Sequence, residues 1–340
     1  MSPELSLSHK RAIIVGAGQS GLAVAAALIE QGLIPQDNFA VIDAGDGVRS
    51  WSNRWHSLML LSEARHSALH GRPFPGDQRR HPYAYEFSSY LTEVESWLGV
   101  KPLWGIEALK VDKHKHGTTL NLGTSIGEVQ TRNIVCATGA AALPHIPSWA
   151  MDLSLAGAVL HSSQYLYPSQ IPPGNVLIVG GGNAGVQIAR ELTKTHTVTL
   201  SVRSRRTHQP ARMFARWNRG TIMSQRDRGT QPLFTDSYER LQRSGVALCA
   251  AVAGIEGTAA MLLADGSRVI PDSVILATGY LPADNWLPHS AQRSPVGHAR
   301  TTVPGLFVAG MPRYGSRESD TIRGIWRDAR TIARHILDRP

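Results

Sequence analysis

Two glycine-rich loops have the spacing with which proteins bind the diphosphate of a dinucleotide. They are Gly16-Ala17-Gly18-Gln19-Ser20-Gly21 and Gly180-Gly181-Gly182-Asn183-Ala184-Gly185. In this pattern the first glycine permits a tight turn, the second lets a diphosphate approach the backbone, and the third packs a helix against a strand. The phosphates then accept hydrogen bonds from free N–H groups at the helix N-terminus. One such loop is weak evidence, but two with matching flanks predict two nucleotide sites.

The residues beyond each loop predict different nucleotides at the two sites. Asp43 lies about 20 residues after the first loop, where a carboxylate binds ribose hydroxyls and repels a 2′-phosphate, so this site suits FAD or NAD. At the matching place after the second loop stand Arg203, Ser204, Arg205 and Arg206. Because guanidinium groups bind phosphate through paired hydrogen bonds, the second site favours NADPH over NADH. A solvated basic turn is the alternative interpretation of these arginines.

Each loop needs a strand before it and a helix after it. The first unit is predicted as a strand at Ala12–Val15, a helix at Leu22–Ile29 and a strand at Phe39–Ile42, and the second as a strand at Val176–Val179, a helix at Val186–Leu192 and a strand at Val198–Val202. The first helix prediction rests on the high helix propensity of alanine and leucine. The equal spacing of the two units predicts an internal duplication of whole domains.

An apolar strand ending in an Ala-Thr-Gly turn follows each unit. These strands and turns are Ile134–Cys136 with Ala137-Thr138-Gly139, and Val274–Leu276 with Ala277-Thr278-Gly279. Near the C-terminus, Leu306–Gly310 predicts one more strand, and Thr321–Ile336 predicts a helix with an apolar stripe behind a Ser319-Asp320 cap. This order predicts an α/β fold of two Rossmann-like dinucleotide-binding domains, with the second inserted in the first.

The composition excludes several other classes of protein. The 340 residues are 42% hydrophobic and 18% charged, a globular balance that can form two cores. The net charge of +9 suggests a nucleic-acid partner, but the chain has neither a block of five basic residues nor a nucleic-acid motif. We therefore expect no nucleic acid, and we attribute part of the charge to the capture of anionic cofactors.

The cysteines and histidines exclude further kinds of site. Cys136 and Cys249 stand far apart in apolar stretches, so a disulfide between them is disfavoured, and without C-x-x-C there is no thioredoxin-type dithiol or cysteine zinc site. The histidines lack the spacing of a metal site, so no metal is expected. Because the chain has no apolar run of about 18 residues and no apolar signal core, we expect a cytoplasmic protein without a membrane segment.

The segment between the two nucleotide units resembles the fingerprint of the flavin-containing monooxygenase family. That fingerprint reads F-x-G-x-x-x-H-x-x-x-(Y/F), and this chain matches it at Gly157, His161 and Tyr165, with Leu155 in place of the phenylalanine. The resemblance covers nearly the whole chain and is closest to the bacterial branch of these class B flavoprotein monooxygenases. It implies that His161 links the domains and has no catalytic acid or base role. Tyr165 stands where related Baeyer–Villiger enzymes usually carry Trp, which favours oxygenation of heteroatoms.

The resemblance also assigns residues to the two cofactors. It implies that the segment with Trp51 and Arg54 lies along the flavin, that the backbone of Ile106 lies near the adenine, and that the segments with Gly310 and Thr321 return to the flavin. Together with the loops, the residues expected at FAD are Gly16, Ala17, Gly18, Gln19, Ser20, Gly21, Asp43, Trp51, Arg54, Ile106, Ala137, Thr138, Gly139, Gly310 and Thr321. Those expected at NADPH are Gly180, Gly182, Asn183, Ala184, Gly185, Arg203, Ser204, Arg205, Arg206, Ala277, Thr278 and Gly279.

The resemblance implies a division into domains of the glutathione-reductase type. An FAD-binding domain comprises 1–164 and 283–340, and an NADPH-binding domain comprises 165–282. The chain departs from the family in two places. The segment Leu60–Glu63 lacks the Asn that animal and yeast members place against the flavin, and Ala184 and Gln187 replace the serine and the acid common in the second loop. The first departure argues against broad oxygenation of amines and sulfides.

The implied function is an NADPH- and FAD-dependent monooxygenase. In this family NADPH reduces FAD, oxygen then forms a C4a-hydroperoxyflavin, and one oxygen atom passes to a nitrogen or sulfur of a small organic substrate. Two alternatives remain open, namely Baeyer–Villiger oxygenation of a ketone, and an NADPH oxidase or reductase without oxygen insertion. The sequence leaves open the substrate, a homodimer, and the role of the arginine-rich segment 203–228 beyond NADPH binding.

Overall fold

The computed structural model describes residues 7–47, 50–69, 71–113, 119–209, 232–295 and 297–339. In chain order, the strands of these ranges are β1 (Ala12–Val15), β2 (Phe39–Asp43), β3 (Leu103–Trp104), β4 (Ala108–Lys113), β5 (Leu120–Thr124), β6 (Gly127–Thr131), β7 (Ile134–Cys136), β8 (Leu143–Pro144), β9 (Val159–His161), β10 (Asn175–Val179), β11 (Thr197–Ser201), β12 (Ala247–Cys249), β13 (Val252–Glu256), β14 (Ala260–Leu263), β15 (Arg268–Val269), β16 (Ser273–Leu276), β17 (Tyr280–Leu281) and β18 (Leu306–Val308). The α-helices are α1 (Gln19–Glu30), α2 (Ala84–Leu98), α3 (Asn183–Leu192), α4 (Tyr238–Arg243) and α5 (Ile325–Asp338).

Two parallel sheets form the centres of the two domains, and one repeats the other. In spatial order the first is β3–β2–β1–β7–β18, and the second is β12–β11–β10–β16–β9. The strand before each glycine-rich loop, β1 or β10, lies between the strand after that unit's helix and the strand before the Ala-Thr-Gly turn. Each domain also carries a small antiparallel sheet, β4–β5–β6 or β13–β14–β15. The predicted α/β fold and its internal duplication are therefore confirmed.

The second domain is inserted in the first, and two chain segments cross between them. The first crossing includes β8 and the second includes β17, and these two strands pair antiparallel. The threonines of the two Ala-Thr-Gly turns brace the crossings. Thr138 Oγ1 donates a hydrogen bond to the carbonyl of Ala283, and Thr278 Oγ1 donates one to the carbonyl of His145. Each turn is thus tied to the crossing segment that starts from the other turn.

The edge strand β9 belongs to the second sheet, where it pairs in parallel with β16. The predicted boundary at residue 164 leaves β9 in the first domain, whereas its sheet partner β16 belongs to the second. The fingerprint glycine stands just before β9, and a Cβ there would lie 2.6 Å from the carbonyl oxygen of Asp272. Gly157 therefore lets the entering chain lie against the start of β16.

The two helices that cover the first sheet differ in how well the sequence predicted their ends. Helix α1 begins at Gln19, three residues before the predicted start, because Gly18 serves as its N-cap in an extended conformation. Helix α5 begins at Ile325, so the predicted start at Thr321 is wrong. The Thr321 hydroxyl instead donates to the carbonyl of Glu318 and accepts from the Gly324 N–H, which holds this segment in turns.

Two further observations concern the cysteines and the lengths of the helices. Cys136 and Cys249 are free, as expected. Burial raises the pKa of the Cys136 thiol to about 11, so it stays protonated and unreactive at neutral pH. Within the described ranges, no helix has the length and apolar character needed to cross a membrane.

Candidate active site

The first glycine-rich loop joins β1 to α1, and its glycines have three different surroundings. Gly16 has φ +112°, and a Cβ there would lie 2.5 Å from the carbonyl oxygen of Ala137. A Cβ on Gly21 would lie 1.8 Å from the carbonyl oxygen of Gly16, so this glycine lets the helix approach the strand. A Cβ on Gly18 would meet no atom within 4 Å. The fold itself requires the first and third glycines, whereas the second keeps space open at the N-terminus of α1.

The second loop repeats this arrangement between β10 and α3, with one difference. Gly180 has φ +120° with its Cβ position 2.3 Å from the carbonyl oxygen of Ala277, and a Cβ on Gly185 would lie 2.0 Å from that of Gly180. At Gly182, however, the guanidinium of Arg206 lies 3.5 Å from the Cβ position. The space that is open in the first loop is bordered here by a cation, next to the positive end of α3.

Asp43 lies at the first loop, as the sequence predicted. Its Oδ2 accepts a hydrogen bond from the Ala17 N–H at 2.7 Å, and its Oδ1 accepts one from the Gly45 N–H at 2.8 Å. The backbone N–H of Ile106 donates to the Asp43 carbonyl at 2.9 Å, which brings the residue predicted near the adenine to the same place. The carboxylate therefore fixes the loop and still borders the open space beside it.

A cavity of about 910 Å³ extends from the first loop to the start of α3. Predicted FAD residues that line it are Gly16, Gly18, Gln19, Ser20, Asp43, Trp51, Arg54, Ile106, Ala137, Thr138, Gly139 and Gly310. Predicted NADPH residues that line it are Asn183 and Ala184. The other predicted site residues in the described ranges lie outside its wall, namely Ala17, Gly21, Thr321, Gly180, Gly182, Gly185, Arg203, Ser204, Arg205, Arg206, Ala277, Thr278 and Gly279. Residues contributed by both domains thus meet in this cavity.

Trp51 and Arg54, which were predicted to lie along the flavin, each contact another residue of the cavity lining. The Trp51 indole N–H donates to Gln19 Oε1 at 2.9 Å, next to the first loop. The Arg54 guanidinium lies 4.8 Å from the centre of the Tyr280 ring and donates a hydrogen bond to its hydroxyl. Because Tyr280 follows directly on the second Ala-Thr-Gly turn, Arg54 joins the first domain to the second crossing segment.

The arginines beyond β11 lie in two different environments. Arg205 is exposed and is 3.9 Å from the Glu239 carboxylate, a loose ion pair that an incoming phosphate could replace. Arg206 lies close to Tyr238, whose hydroxyl donates to the carbonyl of Gly181 at 2.6 Å. Burial raises the pKa of Tyr238, and the neighbouring arginine charges oppose this rise. Residues 210–228 of the arginine-rich segment lie outside the described residues.

The fingerprint residues His161 and Tyr165 are buried away from the cavity. His161 Nδ1 accepts from the Ser163 N–H at 3.1 Å, and its Nε2 donates to the carbonyl of Gly279 at 3.0 Å, which assigns a neutral ring protonated at Nε2. Burial lowers the pKa of His161 and so favours this neutral form. Tyr165 donates to Glu191 Oε2 at 2.8 Å inside the second domain. His161 thus contacts the second Ala-Thr-Gly turn, and Tyr165 lies in the core of the second domain.

Several residues that line the cavity were not predicted from the sequence. They include Trp104, Tyr280 and Asp320. The Asp320 side chain is exposed, but nearby protein atoms still desolvate its carboxylate and raise its pKa. Gln187 lines the cavity too, and it stands one helical turn after Asn183 on the same face of α3. The four-residue spacing from Asn183 could have predicted that Gln187 lines the site, but Gln187 was noted only as a departure from the family.

Two glycine-rich loops beside one interdomain cavity define a protein with two Rossmann-like domains of the dinucleotide-binding type. The chain matches the pyridine nucleotide-disulphide oxidoreductase family over residues 13–310, and it belongs to that family. The predicted enzyme class, an oxidoreductase, is therefore confirmed.

Two relatives that match this chain over nearly its whole length are 29% and 27% identical to it. The uncharacterized oxidoreductase CzcO of Bacillus velezensis is 29% identical over 346 residues, covering 95% of this chain and 98% of its own. The probable indole-3-pyruvate monooxygenase YUCCA4 of Arabidopsis thaliana is 27% identical over 378 residues, covering 96% of this chain and 89% of its own. The resemblance to monooxygenases thus extends over nearly the whole chain.

Solved structures share the fold with this chain. The flavin-containing monooxygenase from Stenotrophomonas maltophilia has a TM-score of 0.80 and 24% identity, and the match covers 97% of this chain and 99% of that one. The ornithine N-hydroxylase of Kutzneria, solved with reduced FAD, NADP⁺ and ornithine, has a TM-score of 0.75 and 16% identity, covering 97% and 99%. The bacillithiol disulfide reductase Bdr from Staphylococcus aureus has a TM-score of 0.75 and 18% identity, also covering 97% and 99%. In the ornithine N-hydroxylase, this fold holds FAD and NADP⁺ together.

Proposed function

We propose that this protein is an NADPH- and FAD-dependent monooxygenase that transfers one oxygen atom from O₂ to a nitrogen or sulfur of a small organic substrate. The observation that carries the proposal is the cavity of about 910 Å³ bounded by the first glycine-rich loop, the Trp51–Leu61 segment and the start of α3. Such a cavity lets two cofactors and a substrate meet away from bulk water. The similarity to monooxygenases over nearly the whole chain supports the choice among oxidoreductases.

The residues present fit FAD at the first site. The open space at Gly18 would admit the diphosphate to the N-terminus of α1, and Asp43 would face the adenosine ribose. Trp51 would border the flavin ring, with its position fixed by Gln19. When bound, the flavin supplies hydride acceptance and oxygen activation, and the protein supplies orientation.

The residues of the second site fit NADPH. The N-terminus of α3 and the guanidinium of Arg206 flank Gly182, where a diphosphate would neutralise both positive groups. The exposed Arg205 stands on the same turn and would be available to a 2′-phosphate. The apolar side chains of Trp55, Leu58 and other wall residues would exclude water from the meeting point of the two cofactors.

The proposal is tested by purifying the protein, identifying its flavin, and following its reduction and reoxidation by stopped flow. We expect a yellow protein that releases FAD, is reduced faster by NADPH than by NADH, and passes through a spectroscopically distinct transient when oxygen is added. A screen of amines, sulfides and ketones, with products identified by mass, would then assign the substrate. Esters or lactones formed from the ketones would instead favour Baeyer–Villiger oxygenation. A colourless protein unable to bind FAD would refute the proposal.

The remaining alternative, an NADPH oxidase or reductase, gives a different result in the same experiment. Reoxidation would then proceed directly to oxidised flavin with one hydrogen peroxide released per flavin, or an organic acceptor would be reduced without gaining oxygen. A cytoplasmic location and a homodimer remain predictions, which cell fractionation and light scattering would check.

A further inference from the structure

The segment 54–60, here called the strap, belongs to the first domain by sequence but attaches to both domains. Five of its residues line the cavity, namely Arg54, Trp55, Leu58, Met59 and Leu60. Because the strap contacts both domains, a movement of one domain can shift this part of the cavity wall.

The strap's first half is attached to the second domain. Trp55 is 4% exposed and packs in the second domain's core with Tyr165, Ile178 and Val186. The backbone N–H of His56 donates to the carbonyl of Leu166 at 2.9 Å. Sequence position alone would have placed these residues in the other domain.

The strap's second half is attached to the first domain. The Leu60 N–H donates to the carbonyl of Pro82 at 2.8 Å, and the Ala84 N–H at the start of α2 donates to the carbonyl of Leu58 at 2.9 Å. Leu60 is 3% exposed and packs in the first domain's core. The change from one core to the other therefore takes place between Trp55 and Leu60.

Gln187 on α3 holds the middle of the strap. Its Oε1 accepts from the Met59 N–H at 3.2 Å, and its Nε2 approaches the Met59 carbonyl at 3.4 Å. The side-chain amide thus pairs with one residue's backbone much as a neighbouring strand would. Gln187 is 2% exposed, so its polar atoms cannot exchange these partners for bulk water.

The position of Gln187 on its helix connects the strap to the second nucleotide site. Asn183 and Ala184, at the start of α3, line the same cavity and stand where the NADPH diphosphate is proposed to bind. Gln187 lies one turn further along the same rigid helix. A shift of α3 on nucleotide binding would therefore move the backbone of Met59, at the cavity wall.

We propose that Gln187 is a positioning residue that fixes the strap to α3, so that NADPH at the second loop sets the wall of the flavin cavity. The coupling rests on the proposed function, but the Gln187–Met59 contact does not. Removing the contact should loosen the strap and slow flavin reduction at saturating NADPH, while leaving the affinity for NADPH nearly unchanged, because Gln187 lies beyond the residues proposed to hold the diphosphate.

The first test is hydrogen exchange of the purified protein, followed by mass spectrometry of peptides that cover the strap. Gln187→Met keeps the length of the side chain but removes both hydrogen bonds, and Gln187→Glu keeps the acceptor but replaces the donor. Gln242→Glu, on the exposed face of α4, is the charge-matched control. We expect exchange in the strap to be faster by about tenfold in Gln187→Met, which loses two modest hydrogen bonds, and by a smaller factor in Gln187→Glu, which loses one. Exchange in the control should be unchanged.

The second test adds NADP⁺ and measures the limiting rate of flavin reduction by NADPH. We expect NADP⁺ to slow exchange in the strap of the wild type and the control, but not in Gln187→Met, although titration shows that this variant still binds NADP⁺. Its limiting reduction rate should fall with little change in the dissociation constant.

Three results would overturn the proposal, and one would refute only the proposed function. If strap exchange in both Gln187 variants is as slow as in the wild type, the Gln187–Met59 contact does not hold the strap. If NADP⁺ still slows strap exchange in Gln187→Met, the coupling does not pass through Gln187. A raised dissociation constant with an unchanged limiting rate would make Gln187 a nucleotide ligand instead. A protein that binds neither FAD nor NADP⁺ refutes the proposed function, whereas faster strap exchange in the variants would still support the contact.

Discussion

The open space at Gly18 and the filled space at Gly21 predict opposite outcomes for two substitutions in one loop. Gly18 has φ −74° and ψ −171°, which valine adopts readily, and its Cβ position has no neighbour within 4 Å. In Gly18→Val the folded protein should therefore lose only the difference between glycine and valine as an N-cap, about 1 kcal/mol. That change lowers the midpoint of thermal unfolding by roughly 2–4 °C.

FAD binding should suffer far more than stability in Gly18→Val. The valine methyl groups would occupy the approach of the diphosphate to the N-terminus of α1, where backbone N–H groups donate to charged oxygens. Each such hydrogen bond contributes about 1.5–3 kcal/mol. Losing about two of them weakens FAD binding by a factor of roughly 10²–10⁴.

The assay is titration of the apoprotein with FAD, followed by flavin fluorescence, beside thermal unfolding by circular dichroism. Gly21→Ala is the contrasting variant in the same loop. Its Cβ would lie 1.8 Å from the carbonyl oxygen of Gly16, so α1 must move away from β1. We expect that variant to lose more than about 4 kcal/mol of stability, beyond the range of ordinary substitutions. If Gly18→Val binds FAD like the wild type, the first loop does not hold the diphosphate.

Three other predictions concern the second site and two buried groups. Arg205→Ala and Arg203→Ala should raise the KM for NADPH far more than that for NADH, since only NADPH carries a 2′-phosphate, and equal increases would reject this assignment. Tyr165→Phe removes the hydrogen bond to Glu191 and should lower the free energy of unfolding by about 1–3 kcal/mol without loss of bound FAD, as chemical denaturation with flavin quantitation would show. Burial raises the pKa of the fully buried Asp328, so its contribution to stability is complete at acid pH and falls as pH rises through the folded-state pKa. Asp328→Asn should therefore gain stability relative to the wild type as pH rises. A difference in the free energy of unfolding that stays constant with pH would contradict this prediction.

The sequence predicted those parts of the fold that local patterns encode. Gly16 and Gly180 stand at positive φ against the two Ala-Thr-Gly turns, so the spacing of glycines indicated both the strand-to-helix turns and the neighbouring strands. The start of α5 was wrong because Ser319-Asp320 has the pattern of a helix cap, while the Ser319 hydroxyl in fact accepts from the Ser316 N–H. Local pattern could not show which of two competing hydrogen bonds a hydroxyl makes.

The candidate site was predictable only where its residues lie within a motif. Gln187 and Met59 are 128 residues apart, and the contact is between a side chain and a backbone, which leaves no pattern of residue types at Met59. Arg54 and Tyr280 are 226 residues apart and meet only because the second domain is inserted. The membership of Trp55 in the other domain's core likewise depends on how the domains are placed, which periodicity does not encode.

The position of β18 at the edge of the first sheet has a consequence for how the protein is made. The second sheet is complete when β16 leaves the ribosome, but the first sheet waits for β18, and α1 waits for α5, which packs against it. At about 5–20 residues per second, the nascent chain leaves the edge of β7 uncovered throughout synthesis of the inserted domain. We therefore expect the second domain to fold first and to take Trp55 into its core before the first domain closes. Chains truncated before residue 306 should then retain a protease-resistant second domain beside an unfolded first one.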